Sequence, residues 1–222
     1  MMMMLRVLEP ELMEDAGQVF AYAKADFNRP HGEFIRRLKN VVKNPAFSGQ
    51  ALDLGCGPGD ISCRFVKAFP SATVDAIDGS RLMIDFALNT IDAKTLNRLN
   101  FIHGKLPDYR LPSDHYDVIF SNSLLHHLPD PQVLWQTIKK YAKPGTQIAV
   151  MDLLRPGRVY LAKTLVDMYT ATEPEILRRD FYNSLLAAFS LAEIKKQLAD
   201  ADLPLSVEKI SDRHVFISGA LT

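Results

Sequence analysis

Cysteine is nearly absent. Cys56 and Cys63 are the two in 222 residues, and nothing around them marks a disulfide framework or a spaced metal site, so a reducing, cytoplasmic compartment is expected and no metal is implied. Long hydrophobic runs are missing as well, since no stretch approaches the ~20 apolar residues that a membrane-spanning helix needs. The apolar start, Met1 to Met4, is broken by Arg6, Glu9 and Glu11 before a secretory signal could form, and reads as start-site redundancy. Nor is there an excess of either charge. Lys plus Arg and Asp plus Glu both number 26, which leaves no whole-molecule field for gathering a polynucleotide or an anionic membrane, so neither is an expected partner. Repeats and low-complexity segments are lacking too. With 47% hydrophobic and 23% charged residues, the chain has the balance of a folded globular protein with a substantial core.

Apolar residues at helical spacing occupy residues 14–24 and 31–42, with Arg29 and Pro30 between them as a break. From Gln50 the pattern changes to short apolar runs at 51–54, 73–77, 100–103, 118–121 and 147–151, which read as buried parallel strands. Between them, Ile61, Phe65 and Ala68 share one helix face. Leu134, Ile138 and Tyr141 share another, opened after Pro129 and Pro131 and closed by Pro144 and Gly145. This alternation implies an open α/β sheet. Ser190 and Glu193 form a capping box for a helix whose apolar face is Leu191, Ile194, Leu198 and Ala201. Runs at 205–210 and 214–218 then end the chain as an antiparallel hairpin at the sheet edge. Residues 155–189 have helical spacing and aromatics but no strand pattern, which marks an insertion able to act as a lid. The predicted organisation is an N-terminal helical cap over residues 1–45, a core over 46–154, the helical insertion over 155–189, and a return to the core over 190–222.

The chemistry concentrates in ALDLGCGPGD, residues 51–60, where an apolar strand runs into Gly55, Gly57 and Gly59 and then opens a helix. Glycines there let the backbone turn tightly and let a ligand approach it. A bare helix N-terminus attracts anions, but Asp53 stands just before this turn, and a carboxylate there suits a cationic ligand better than a pyrophosphate. The second strand ends in Val74-Asp75-Ala76-Ile77-Asp78. A carboxylate at that point can accept hydrogen bonds from both hydroxyls of a ribose.

Taken in order, LDLGCGPGD at 52–60, Asp78, FIHGKLP at 101–107, YDVIFSNSLLHHL at 116–128 and KPGTQIAV at 143–150 resemble the class I, Rossmann-like S-adenosylmethionine-dependent methyltransferases, over residues 46–220. The resemblance implies a three-layer α/β fold with a sheet of about seven strands in the order 3-2-1-4-5-7-6, the last strand antiparallel. It also implies S-adenosylmethionine as cofactor and S-adenosylhomocysteine as product. Carried over by position, it implies that Gly55, Cys56, Gly57 and Gly59 cradle the methionine and ribose part, with Asp53 near the ammonium. Asp78, followed by Gly79, would bind the ribose hydroxyls, Leu82 and Met83 would lie beside the adenine, and Ser121 would contribute backbone at the methionine end. Many relatives carry Asp where this chain has Lys105. Lysine offers the adenine amino group no acceptor, so that edge would be read by the backbone of Gly104, Lys105 and Leu106, or by Asp108.

A dinucleotide oxidoreductase shares the strand, the glycine turn and the downstream acid. Its third glycine, however, falls on Asp60 here, a charge where close helix packing is needed. A protein that holds the cofactor without chemistry is a second alternative, separated from an enzyme by cofactor turnover. His126 and His127 follow the fourth strand, where either could serve an acceptor as general base or simply pack. Asp152 and Arg155 could hold a polar substrate or form an ordinary ion pair. Tyr22, Phe27, Tyr160, Tyr169 and Tyr182 could line an apolar cleft, and Arg178 and Arg179 read as a solvated face. The fourth strand ends in Ser121-Asn122-Ser123-Leu124, without the Asn/Asp-Pro-Pro-aromatic signature of nucleobase or glutamine amino-methyltransferases and without the carboxylates of the Mg-dependent catechol type. The expected reaction is methyl transfer to an oxygen, nitrogen or carbon of a small molecule by a monomer or homodimer, with a protein or RNA acceptor as the alternative.

Overall fold

The apolar runs of the core become strands of one sheet. In the computed structural model, which describes residues 4–10 and 12–221, β1 (Gln50–Leu54), β2 (Thr73–Asp78), β3 (Leu99–His103), β4 (Tyr116–Asn122), β5 (Ala142–Leu153), β6 (Ser206–Lys209) and β7 (His214–Ala220) pair in the order β3-β2-β1-β4-β5-β7-β6. The first five strands are parallel, β7 runs antiparallel to β5, and β6 antiparallel to β7. This is the predicted strand order. Met1 to Met3, and with them most of the run read as start-site redundancy, lie outside the described residues, as do Glu11 and Thr222.

Side chains alternate across a strand, so each face of the sheet packs a layer of its own. One face presents Leu52, Leu54, Ile77, Ile119, Ile148 and Val150 to α6 (Gln132–Tyr141) and α9 (Leu191–Asp200), which contribute Trp135, Ile138, Ile194 and Leu198. The opposite face mixes Ala51, Ala76 and Ala149 with Val74, Val118, Phe120, Met151 and Phe216, and packs against α2 (Asn28–Val42) and α3 (Asp60–Ala68). Phe65 stacks on Phe120 with centroids 4.9 Å apart, and Phe34 sits 6.3 Å from the same ring. Sheet and helices thus form the three layers, with α4 (Arg81–Thr90) and α5 (Ala93–Leu96) in the β2–β3 crossover. Ser190 and Glu193 make the reciprocal capping box at α9. Between β5 and α9 stand α7 (Val159–Tyr169) and α8 (Glu175–Ala187), packed on each other through Leu165, Val166 and Leu185.

Three local expectations change. Pro30 does not separate the N-terminal helices: α1 spans Ala16–Lys24, and Pro30 lies in the first turn of α2, where its missing N–H would have had no helical partner. The helix before β5 stops at Tyr141, not at Pro144. Pro144 and Gly145 belong to the start of a longer β5, beside the point where the β4–β5 register shifts between Tyr116 and Val118, and an irregularity of that kind tolerates a residue that cannot donate. The β2–β3 crossover carries α4 and α5 in addition to the expected elements, and α4 buries Met83, Ile84 and Ala87 on one face.

Phe34 is fully buried between two aromatic rings, so Phe34→Ala should cost ~3–5 kcal/mol of stability in urea unfolding, whereas Leu88→Ala, at a half-exposed site, should stay within about 0.5 kcal/mol.

Candidate active site

Two strand ends and their following turns build the site. β1 runs into a loop in which Gly55 (φ 74°), Gly57 (φ 52°) and Gly59 (φ 84°) all take left-handed backbone. A Cβ on Gly55 would stand 2.9 Å from the Leu124 side chain, whereas one on Gly57 would meet only open space. Gly55 and Cys56 donate their N–H groups to Ile77 O at 2.9 and 3.0 Å, which ties the loop to the end of β2. One residue on, Asp78 Oδ2 accepts from Gly57 N and Oδ1 from Ser80 N, each at 2.8 Å. Each Asp78 oxygen keeps a second lone pair, so the carboxylate organises both turns and can still receive two donors. Burial pushes its pKa above the usual range against the pull of those backbone N–H groups. Ser80 caps α4 through Met83 N and donates to Met13 O at 2.7 Å, and Gly104 N reaches Asp78 O at 3.0 Å. The ends of β1, β2 and β3 are therefore one hydrogen-bonded unit.

These ends floor a cavity of about 410 Å³, within the roughly 300–1,000 Å³ usual for small-ligand sites. Its roof comes from the N-terminal segment: Leu12, Met13, Tyr22, Phe27, Asn28 and His31. The roof is tied down by charge. His31 Nδ1 lies 2.6 Å from Asp60 Oδ2, and Arg64 bridges Asp60 and Asn28 at 2.7 and 2.6 Å. Burial raises Asp60, but the bonds from His31 and Arg64 outweigh it and hold the carboxyl below its ordinary value. Asp60 thus stands at the N-terminus of α3 as a clamp for α2. Tyr22, half-buried on the cavity lining near Asp78 and Asp60, is pushed up to about 12 by desolvation and by those carboxylates, so its phenol stays protonated. Asp53 sits on the cavity wall, accepts from Ser62 Oγ at 2.6 Å, and is pushed up to about 7 by burial.

At the far end, the 3-10 turn Leu125–His127 follows β4. His126 Nδ1 lies 2.6 Å from Asp152 Oδ1, both buried. Burial alone would neutralise this pair, but mutual attraction prevails: it lifts His126 above its ordinary value and holds Asp152 below its own. His127 is pushed down to about 3 by burial and the His126 charge beside it.

Of the residues expected to hold cofactor, Asp53, Gly55, Cys56, Gly57, Asp78, Gly79, Met83, Gly104, Lys105 and Leu106 line the cavity together. Gly59, Leu82 and Ser121 do not. Gly59 caps α3 behind Phe101, Leu82 faces outward on α4, and the buried Ser121 donates to Leu54 O at 2.7 Å. The end of β4 lines the cavity instead through Asn122, Ser123 (φ 61°) and Leu124, a turn without a sequence signature, and Asn122 Oδ1 is buried without a partner. His127 borders the cavity and His126 does not. Asp152 and Arg155 lie off the lining too; Arg155 bonds Ala188 O and Glu193. Tyr22 and Phe27 line the cleft as expected, whereas Tyr160 is exposed, Tyr169 lies under Arg213, and Tyr182 packs with α7 and α8. No residue of 155–189 is on the lining.

Comparison with known proteins agrees with this geometry. Residues 51–145 match a family described as a methyltransferase domain. Malonyl-[acyl-carrier protein] O-methyltransferase 2 of Ilyobacter polytropus is 33% identical over 158 residues, 71% of this chain and 56% of that protein. The chain spans about half the length of the curated relatives it matches. A SAM dependent methyltransferase from Aquifex aeolicus shares the fold with TM-score 0.67 and 19% identity, over 95% of this chain and all of that one. So does the Haemonchus contortus phosphoethanolamine N-methyltransferase 2 bound to S-adenosylhomocysteine, with TM-score 0.69 and 15% identity over 93% of this chain and 57% of that one. Residues 51–145 thus form a methyltransferase domain, and the fold around it is the one found in S-adenosylmethionine-dependent methyltransferases of known structure. No helix among the described residues is long and apolar enough to cross a membrane.

Asp53 yields a test that needs no ligand. Its carboxyl titrates near 3.9 when unfolded and is held up to about 7 when folded. Between those values the native state binds more protons than the unfolded one, so this group makes stability fall as pH rises from about 4 to about 7, and the whole penalty applies above that. Asp53→Asn should therefore be more stable than the wild type at about pH 8, by up to ~4 kcal/mol for three units of displacement, and the advantage should vanish near pH 4. Equal denaturation midpoints at both pH values would show that Asp53 is not destabilised by burial.

Proposed function

We propose that the protein transfers the methyl group of S-adenosylmethionine to an oxygen, nitrogen or carbon of a small molecule held beneath the N-terminal helices. One observation carries the reading: the cavity that opens at Gly57 and Asp78 extends to Met13, Tyr22, Phe27, Leu124 and Leu128. A ligand pocket of this kind, polar toward Asp53, Asp60 and Asp78 and apolar toward Tyr22, Phe27, Leu124 and Leu128, suits a small acceptor better than a polymer. The chain's zero formal net charge supports the same choice.

The residues fit the cofactor. In this reading Gly55, Cys56 and Gly57 border the methionine and ribose part, and Asp78 receives the ribose hydroxyls on the lone pairs its backbone donors leave. Asp53 faces the ammonium, and Gly79, Met83 and residues 104–106 flank the adenine. Bound S-adenosylmethionine supplies an activated methyl group. The chain's own task is then to align the acceptor and exclude water, which Tyr22, Phe27, Leu124 and Leu128 do by enclosing the space around it. His126 is committed to Asp152. His127 can touch an acceptor, but an imidazole held near 3 is a weak proton acceptor, so it places the substrate more than it deprotonates it. Residues 1–45 act as the cap over the core of 46–154 and 190–222. The 155–189 insertion buttresses that cap from outside, through Ser184 on Glu9 and Ala187 O on Arg6.

Incubating the protein with methyl-labelled S-adenosylmethionine and an extract of cells that lack it, followed by ultrafiltration, tests the reading. Label should appear in the low-mass pool and be lost with Asp78→Ala. Label in protein or RNA would overturn the small-molecule acceptor, and cofactor binding with no label transferred to anything would overturn turnover itself.

A further inference from the structure

Beyond the cofactor cradle, one group of metal-ligating side chains stands out among the described residues: Glu9, His126 and His127, whose donor atoms all lie within 4.8 Å of one another. We propose that these three residues bind a divalent transition-metal ion of the zinc type, and that the ion fastens the N-terminal segment to the turn after β4.

The spacing is the first argument. Glu9 Oε1 stands 3.5 Å from His126 Nε2 and 3.2 Å from His127 Nδ1. The first separation is too long for a good hydrogen bond, and His127 Nδ1 is buried with no hydrogen-bond partner. A carboxylate oxygen therefore points between two imidazole nitrogens without properly bonding either. Donors held at ~2.0–2.1 Å from a tetrahedral ion are separated from one another by roughly 3.3–3.4 Å, and the two observed separations bracket that value.

The surroundings are the second argument. His126 Nδ1 is 2.6 Å from Asp152 Oδ1, the carboxylate-histidine arrangement that fixes the ring and raises the basicity of a metal-bound imidazole. Ser184 Oγ donates to both Glu9 oxygens, at 3.1 and 3.3 Å, and so orients the third ligand. Glu9 and Asp152 supply two negative charges against a divalent ion. The Arg6 guanidinium, a cation of the same neighbourhood, is spent on the carbonyls of Ala187, His126 and Leu128 and on the Phe189 ring. Two imidazoles with one carboxylate favour zinc, cobalt, nickel or copper over magnesium or calcium, which prefer oxygen donors throughout. The site adjoins the cavity through His127 and does not depend on which acceptor the enzyme uses.

The full chain, stripped with a chelator and dialysed, is titrated at neutral pH with Co²⁺ and separately with Zn²⁺. The expected result is one equivalent of Co²⁺ per chain with the visible absorption of a low-coordinate site, displacement by Zn²⁺, and a higher melting temperature on loading. Glu9→Gln, which keeps the size of the side chain, should bind Zn²⁺ at least tenfold more weakly, as should His127→Ala, with circular dichroism confirming that each variant is folded. Absence of saturable binding by the wild type would overturn the proposal, and so would equal binding by the wild type and Glu9→Gln.

Discussion

The site depends on one carboxylate at the end of one strand. Asp78 accepts a backbone N–H from the glycine loop after β1 and another from the turn that starts α4, so a single side chain sets the distance between the two loops that floor the cavity. The arrangement is costly, because burial lifts Asp78 above its ordinary range, and it is offset by charge-assisted bonds to donors that would otherwise lack partners. Its neighbour Ile77 accepts two further loop N–H groups on its carbonyl. The last two residues of β2 therefore organise the whole Gly55–Gly57 turn, and the lone pairs left on Asp78 point to a ligand with adjacent donors.

Carboxylates recur as the connectors between core and periphery. Asp60 joins α3 to α2 through His31 and Arg64, Asp152 joins β5 to the turn after β4 through His126, and Glu9 approaches the same turn from the N-terminal side. Asp75, in the middle of β2, is buried but accepts from Gln50, Asn100 and Tyr116, so it braces neighbouring strands without reaching the cavity. The roof is thereby held by a few directional bonds at its ends, with aromatic packing of Tyr22, Phe27 and His31 between them.

The features legible in the sequence were those written in contiguous residues. Strand positions, the glycine turn, Asp78 and the Ser190–Glu193 box each declare themselves within ten residues, and the strand order came with the family resemblance. What escaped has long-range causes. The part of Asn122 and Ser123 in the lining depends on where β4 ends beside β1, which no local period encodes. Glu9 meets His126 and His127 only because Arg6 and Val7 dock on the α8 end and the turn after β4. Aromatics in a helical insertion suggest a lid, which is why Tyr160 and Tyr169 read as cleft residues, yet α7 packs on α8 and on Leu153 and puts no residue on the cavity lining. Proline misled twice, at Pro30 and Pro144, because a helix's first turn and a strand irregularity both accept a missing donor.

We propose Asp78 and the glycine loop as the adenosyl-cofactor site. Calorimetric titration of the protein with S-adenosylhomocysteine and, separately, with NAD tests it most directly. Saturable one-to-one binding of S-adenosylhomocysteine is expected, with no binding of NAD and at least a tenfold loss of affinity in a folded Asp78→Ala variant. Binding of NAD without S-adenosylhomocysteine, or unchanged affinity in that variant, would contradict it.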